Sequence, residues 1–377
     1  MDDKFENILV VGLGLIGGSL AAALKDLGGG APFIYGCDAE GGARDAAVEL
    51  GYADAAIAPG EAEALFAEGD IDLVVLAIPA RFMREWFSLI ADSGYCGVVT
   101  DVCSTKQGAV NLARSLLRYP GRFVPGHPMA GSEQSGIEAA RPDLFSGAYW
   151  ILTPIGDTDA EAYGGVHALL ASVGARVISA DPAEHDRMVA VVSHVPHVAA
   201  AALVTLAGDH AGKNGDLLRL AAGGFKDTTR VASGSADLWT GIIMDNSDVI
   251  AEELEEYGLI VAEFGRLVRE GDAGALRDLL AGAAMVRDSL PAKWAPKPEA
   301  LTVVRVPMDD RRGIVAQITA AAGRAGCNIE AIDIDHITEK RAELELVLTG
   351  EGDADGFIRE LEASGFRPRR RALAPQT

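Results

Sequence analysis

The sequence predicts an α/β chain in three parts: a doubly wound parallel sheet, an all-helical segment, and a small β-α-β-β-α-β unit. Three observations predict it. Roughly the first 180 residues alternate short β-branched runs with Ala-rich helical stretches, as a parallel sheet covered on both faces requires. After Asp181-Pro182 no strand-like run appears until about residue 301, and Ala, Leu and Val recur at helical spacing between glycine breaks. A stiff, proline-punctuated linker at 291–298 then leads into runs ordered strand, helix, strand, strand, helix, strand.

Taken in order, strands are expected at 8–11, 33–37, 73–78, 98–100, 123–125, 149–152 and 176–178, each apolar enough to be buried on both faces. Helices fill the gaps, and the whole forms a first domain at 1–181. Within the helical domain, 182–292, the segment 188–207 is apolar and about long enough to span a bilayer. Ser193, His194, Pro196 and His197 interrupt it, which fits a long buried helix with a functional kink better than a lipid-facing one. Stretches such as 249–268 would leave a large apolar patch on a monomer, so a homodimer is expected. The last domain, 299–375, should hold strands at 301–306, 329–336 and 342–348, helices at 313–325 and 354–364, and a final short strand in a ferredoxin-like order.

With 377 residues, 49% of them hydrophobic, the chain can bury more than one core. Its net charge of −22 argues against a nucleic-acid partner, which clustered Lys and Arg would have to hold. Arg367, Arg369, Arg370 and Arg371 read as a solvated tail. Cys37, Cys96, Cys103 and Cys327 show neither paired nor metal-ligand spacing, so reduced thiols in a cytoplasmic protein are expected, with no disulfide and no metal. The acidic start, Met1-Asp2-Asp3-Lys4, is unlike a signal peptide. In so acidic a chain, an anionic substrate needs locally concentrated Arg or Lys.

Gly12-Leu13-Gly14-Leu15-Ile16-Gly17 follows the first strand and opens a helix, the context of a dinucleotide fingerprint and hence of a Rossmann-type domain. Gly12 permits the tight turn, Gly14 lets backbone approach a pyrophosphate, and Gly17 allows helix to pack on strand, while the helix start donates amides to phosphate. Asp38, at the end of the second strand, suits ribose hydroxyls and repels a 2′-phosphate; with Ala39 beside it, NAD is favoured over NADP. Arg44 keeps NADP in view, although an exposed helix face suits it to solvation. Leu15, Ile16, Ile78, Pro79 and Ser104 complete the expected cofactor contacts.

Asp101-Val102-Cys103-Ser104-Thr105-Lys106 ends a strand at the carboxyl edge, where open α/β sheets bind ligands. Ser104 there suits contact with an imidazole or a nicotinamide, and Ser104 or Thr105 equally suits an N-cap. His127-Pro128-Met129-Ala130-Gly131-Ser132-Glu133 follows the next strand at the same edge. Its histidine, flanked by proline and small residues and with an unperturbed pKa near 6.5, suits accepting a proton from a hydroxyl as hydride leaves. In Ser193-His194-Val195-Pro196-His197, His194 divides evenly between core and site, while a kink at Pro196 would turn His197 towards an interdomain cleft. Gly223-Gly224-Phe225-Lys226-Asp227-Thr228-Thr229-Arg230 is the compact cationic element of the helical domain, suited to clamping a carboxylate; Ser233 and Trp239 follow nearby.

These five motifs, in this order over essentially the whole chain, resemble the prephenate dehydrogenase family, whose members oxidise prephenate or arogenate in tyrosine biosynthesis. The resemblance implies His127 as the catalytic base, Ser104 orienting it and the substrate, and Arg230 binding the substrate carboxylate with support from Asp227. It implies Ser132, Glu133 and His197 near the substrate, with Glu133 paired to Arg230. The implied reaction is NAD-dependent oxidative decarboxylation of prephenate to 4-hydroxyphenylpyruvate. Arogenate oxidation to tyrosine is the alternative within the class, and a non-catalytic sensor of NAD and an amino acid the alternative outside it. The last domain resembles an ACT domain through Asp310-Arg311-Arg312-Gly313 and Gly326-Cys327-Asn328-Ile329, which implies tyrosine as effector, bound near Asp310, Arg311, Gly313, Asn328 and Ile329. A purely structural dimerisation module is the other reading.

Overall fold

A computed structural model describes residues 5–131, 134–212, 217–289, 302–309, 311, 314–338, 341–349 and 352–371. The chain divides into two compact units, 1–266 and 267–377.

The first unit opens with strands β1 (Asn7–Val11), β2 (Phe33–Cys37), β3 (Ala55–Ile57), β4 (Leu73–Leu76), β5 (Val98–Asp101) and β6 (Phe123–Val124). They form a parallel sheet in the order β3-β2-β1-β4-β5-β6. Helices α1 (Leu15–Lys25), α2 (Gly41–Glu49), α3 (Ala62–Glu68), α4 (Met83–Asp92) and α5 (Gln107–Leu116) make its crossovers. Alternation along each strand divides the core in two. Ile8, Val10, Leu73 and Val75 pack with Leu20 and Leu24 on one face, while Leu9, Val11, Val74 and Leu76 pack with Phe66, Met83 and Phe87 on the other. Each such aliphatic side chain contributes about 1.5–3 kcal/mol by burial.

The expected continuation of this sheet through 149–152 and 176–178 does not occur. Strands β7 (Gly126–Pro128), β8 (Tyr149–Leu152) and β9 (Arg176–Ser179), with helix α6 (Ala160–Ser172), form a separate three-stranded sheet. Its β7 runs antiparallel to β8, and β8 parallel to β9. Pro125 separates β6 from β7, so His127 lies within a strand, opposite Ile151, rather than in a loop after one.

Helices α7 (Pro182–Val189), α8 (Val195–Ala211), α9 (Gly223–Thr229), α10 (Ala236–Asp245) and α11 (Ser247–Glu270) follow, the last crossing the division between the units. A π-helical turn, Ala190–His194, joins α7 to α8. It stands where a kink was expected: a widened turn accommodates Pro196, which lacks an N–H and would crowd a regular helix. The run Pro182–Ala211 is long and apolar enough by composition to cross a membrane. It is not the buried helix expected, since Val191, Val192, Leu203, Val204 and Leu206 are exposed on this chain.

The second unit begins with α12 (Ala273–Asp288). Strands β10 (Thr302–Asp309), β11 (Asn328–Thr338), β12 (Arg341–Thr349) and β13 (Arg369–Arg371) form an antiparallel sheet in the order β11-β12-β10-β13. With α13 (Ile314–Arg324) and α14 (Ala354–Ala363) this gives the ferredoxin-like chain order. Val304, Val306, Leu344, Leu346, Ile318 and Phe357 fill its core. Three of the four arginines read as a solvated tail, Arg369, Arg370 and Arg371, form β13, where Arg370 also binds Asp355 at 3.0 Å.

Candidate active site

The glycine turn after β1 is built by contacts that exclude side chains. Gly12 has φ +91°, and a Cβ there would fall onto the Ala77 carbonyl; a Cβ on Gly17 would fall onto the carbonyl of Gly12. Gly14 has open space where its side chain would stand, which leaves room for a dinucleotide to approach the backbone at the start of α1. The Asp38 carboxylate accepts from Leu13 N at 2.7 Å and from Glu40 N at 2.9 Å, so it is tied to the turn itself. Arg44 is not simply solvated: its Nη1 donates to the carbonyls of Asp38 at 2.7 Å and Ala39 at 3.1 Å.

From this turn runs a cleft of about 480 Å³, walled by Leu15, Ile16, Ile78, Pro79, Ser104 and Asp245 among others. Asp245, at the end of α10, was not foreseen; burial, then the Asp186 charge, raises its pKa. Ser104 is half-buried in the loop after β5 and faces this cleft. Neither it nor Thr105 caps α5. The amides of Lys106 and Gln107 donate instead to the two carboxylate oxygens of Asp186 on α7, each at 2.8 Å. Lys106 is wholly buried, its ammonium bound to Asp101 and, at 2.6 Å, to the Gly126 carbonyl, where it ties β5 to the start of β7.

His127 is buried on β7, with Nδ1 2.9 Å from Nε2 of His185 and the rings edge to face. His185 Nδ1 in turn lies 2.8 Å from Asp186 Oδ1. Burial, reinforced by the Lys106 ammonium, holds the His127 pKa well below the ordinary imidazole range. The ring is therefore neutral at pH 7, the state a proton acceptor needs. Sequence reasoning missed His185 and Asp186, taking their surroundings only as the point where helices take over.

His194 and His197 both approach Trp239. His197 stacks on the indole at 3.5 Å between ring centroids and 12° between planes, and His194 meets its edge at 6.2 Å. Burial pushes the His194 pKa down to about 4 and lowers that of His197 as well. The Nδ1 atom of each makes no hydrogen bond among the described residues. The glycine-led cationic element forms α9 and the short turn Arg230–Ser233 after it, with Asp227 and Arg230 exposed. Ser132 and Glu133, and with Glu133 its expected pairing to Arg230, lie outside the described residues, as do Asp310 and Gly313. In the second unit Arg311 is exposed and donates to Gln317 at 3.2 Å, Asn328 opens β11, and Ile329 packs against the core.

A nucleotide-shaped turn on a parallel sheet, opening onto a cleft, with a neutral buried histidine on the strand that leads into the cleft wall at Ala130, defines a dinucleotide-dependent dehydrogenase. Residues 20–179 match the family described as prephenate dehydrogenase, nucleotide-binding domain, and residues 181–282 that described as prephenate dehydrogenase, dimerization domain. The prephenate dehydrogenase of Bacillus subtilis (strain 168) is 34% identical over 350 residues, covering 92% of each chain. The chain belongs to the prephenate dehydrogenase family. The cyclohexadienyl dehydrogenase of Zymomonas mobilis is 31% identical, over 67% of this chain and 85% of its own. Among solved structures, prephenate dehydrogenase from A. aeolicus in complex with hydroxyphenyl propionate and NAD+ is 31% identical, with a TM-score of 0.71 over 76% of this chain and 99% of that one. Synechocystis arogenate dehydrogenase is likewise 31% identical, with a TM-score of 0.62 over 76% of this chain and 100% of that one.

Proposed function

We propose that this chain catalyses the NAD-dependent oxidative decarboxylation of prephenate to 4-hydroxyphenylpyruvate. The observation that carries the reading is a buried, neutral His127 on β7, the strand that leads into Ala130 and Gly131 in the wall of the cleft that continues from the glycine turn. Bound NAD supplies the hydride acceptor. The glycine turn and the α1 amides bind its pyrophosphate, Asp38 its ribose hydroxyls, and Leu15, Ile16, Ile78 and Pro79 form an apolar wall. His127 takes the ring hydroxyl proton as the carbinol carbon loses hydride, and Ser104 orients both the imidazole and the substrate. Cleavage of the ring carboxylate bond then releases carbon dioxide, its electron pair completes the aromatic ring, and the phenolic oxygen recovers a proton. Arg230, supported by Asp227, binds the side-chain carboxylate, with Ser132, Glu133 and His197 nearby. The similar arogenate and cyclohexadienyl dehydrogenases favour arogenate as the second reading, in which an amine replaces the side-chain keto group.

The chain acts as a cytoplasmic homodimer, in three domains at 1–181, 182–292 and 299–375, the last an ACT domain that takes tyrosine as effector. The ferredoxin-like sheet order supports that assignment, together with a cavity of about 560 Å³ lined by Met308, Arg311, Gln317, Arg341, Phe366 and Arg367.

Three experiments test the reading. Assays of prephenate and arogenate with NAD and with NADP should give turnover of prephenate with NAD; exclusive turnover of arogenate overturns the substrate assignment. His127→Asn should lose on the order of 10²–10⁴ in kcat while NAD affinity holds, and an unchanged kcat rules out the base. Tyrosine that neither binds nor alters kinetics removes the effector.

A further inference from the structure

We propose that His185 and Asp186 are positioning residues that lock His127 into the tautomer with its proton on Nδ1, so that Nε2 is the atom that takes the substrate's proton. The inference deepens the reading of His127 as base and rests on it for the role of that ring.

Asp186 anchors the chain of hydrogen bonds. Its carboxylate accepts the amides of Lys106 and Gln107 at 2.8 Å each, and backbone N–H groups can only donate, so both oxygens are acceptors. His185 Nδ1, 2.8 Å from Oδ1, must therefore be a donor. A neutral His185 with its proton there presents a bare Nε2, which lies 2.9 Å from His127 Nδ1 and accepts from it. A neutral His127 has a single ring proton. Spending it on His185 leaves Nε2 as a lone pair, whereas neutral imidazole in water favours the opposite tautomer. The buried pair thus holds ready the less common form, which is the one able to accept at Nε2.

The same carboxylate serves two further ends. When His127 gains its proton, the bond from Nδ1 to His185 strengthens, and Asp186 offsets the new cation across the intervening ring, against the buried Lys106 ammonium. Asp186 also fixes the first amides of α5, immediately after the loop that carries Ser104. Asn246 holds it in place by donating to its carbonyl at 2.8 Å. One residue of α7 therefore sets both the imidazole and the loop of its partner serine.

The test is the tautomer itself. In full-length protein labelled with ¹⁵N-histidine, the His127 signals are assigned by their loss in His127→Asn. At neutral pH they should show a protonated Nδ1 and a bare Nε2; a proton on Nε2 overturns the proposal. Because this reading needs no substrate, it fails or stands independently of the reaction assigned above. In kinetics, His185→Phe should lower kcat about 100-fold or more, leaving substrate KM and NAD affinity within about twofold. His185→Gln, whose amide oxygen can accept from His127 while its NH₂ donates to Asp186, should restore most of kcat. Undiminished kcat in His185→Phe, or equal losses in both variants with a common fall in Tm, overturns the positioning role.

Discussion

His127 owes its neutrality to burial and to the Lys106 ammonium, and that fixes where activity is lost with pH. The active form is the unprotonated ring, and the folded pKa is lowered, so kcat/KM should stay level as pH falls through the ordinary imidazole value near 6.5 and decline only well below it. A pH profile whose acid limb has its midpoint at or above about 6.5 contradicts the assignment. In the role proposed for it, Arg230 acts differently, because binding a carboxylate that does not react lowers ground and transition states alike. Arg230→Ala should therefore raise KM for substrate, by about 10-fold or more, with a smaller change in kcat, as steady-state kinetics would read. His127, Ser104 and Arg230 stand out in the sequence as candidates because each lies in a compact motif of small and polar residues. His185 and Asp186 do not, since their chemistry depends on His127 lying 58 positions away in sequence, and a His-Asp dipeptide at a helix start carries no signature of its own.

Among the elements, the glycine turn shows how local sequence decides geometry. Gly17 lies on α1 so close to the turn that an added methyl would meet both the Gly12 carbonyl and the Ala77 side chain. Backbone cannot yield as a flexible side chain does, so α1 would have to lift from β1. Gly17→Ala should cost about 1–3 kcal/mol, read as a fall in Tm, and should weaken NAD binding by displacing the amides of α1. Retained affinity with unchanged Tm would show that the turn tolerates the shift. Strands β1, β2, β4 and β5 were legible as apolar runs, because a strand covered on both faces has few other compositions. The three-residue β3, Ala55–Ile57, was missed for want of length and β-branching. The separate sheet of β7, β8 and β9 was invisible for another reason: periodicity marks a strand but not its neighbours. The π-turn at 190–194 was anticipated only as a disturbance near Pro196, since sequence marks where a regular helix fails but not which irregularity replaces it.

For the whole molecule, the decisive quantity is the apolar surface that the helical segment leaves uncovered. Val192 is 67% exposed, Leu206 57% and Leu259 72%, with Ile260 and Val261 also open, and residues 181–282 match a dimerization-domain family. A second copy covers such a face most simply through a two-fold axis, which uses each contact twice. This makes the assembly doubly sensitive to one substitution. Burying a leucine contributes about 1.5–3 kcal/mol, so Leu259→Asp in both copies should cost the dimer roughly 3–6 kcal/mol before any penalty for the introduced charge. Each 1.4 kcal/mol is tenfold in affinity, so dissociation should strengthen by at least about 100-fold. Sedimentation velocity should then find wild type at twice the 39.3 kDa chain mass and the variant shifting to monomer on dilution. A variant that stays dimeric over the same concentrations would remove Leu259 from the interface, and a wild type that sediments as monomer would remove the interface itself.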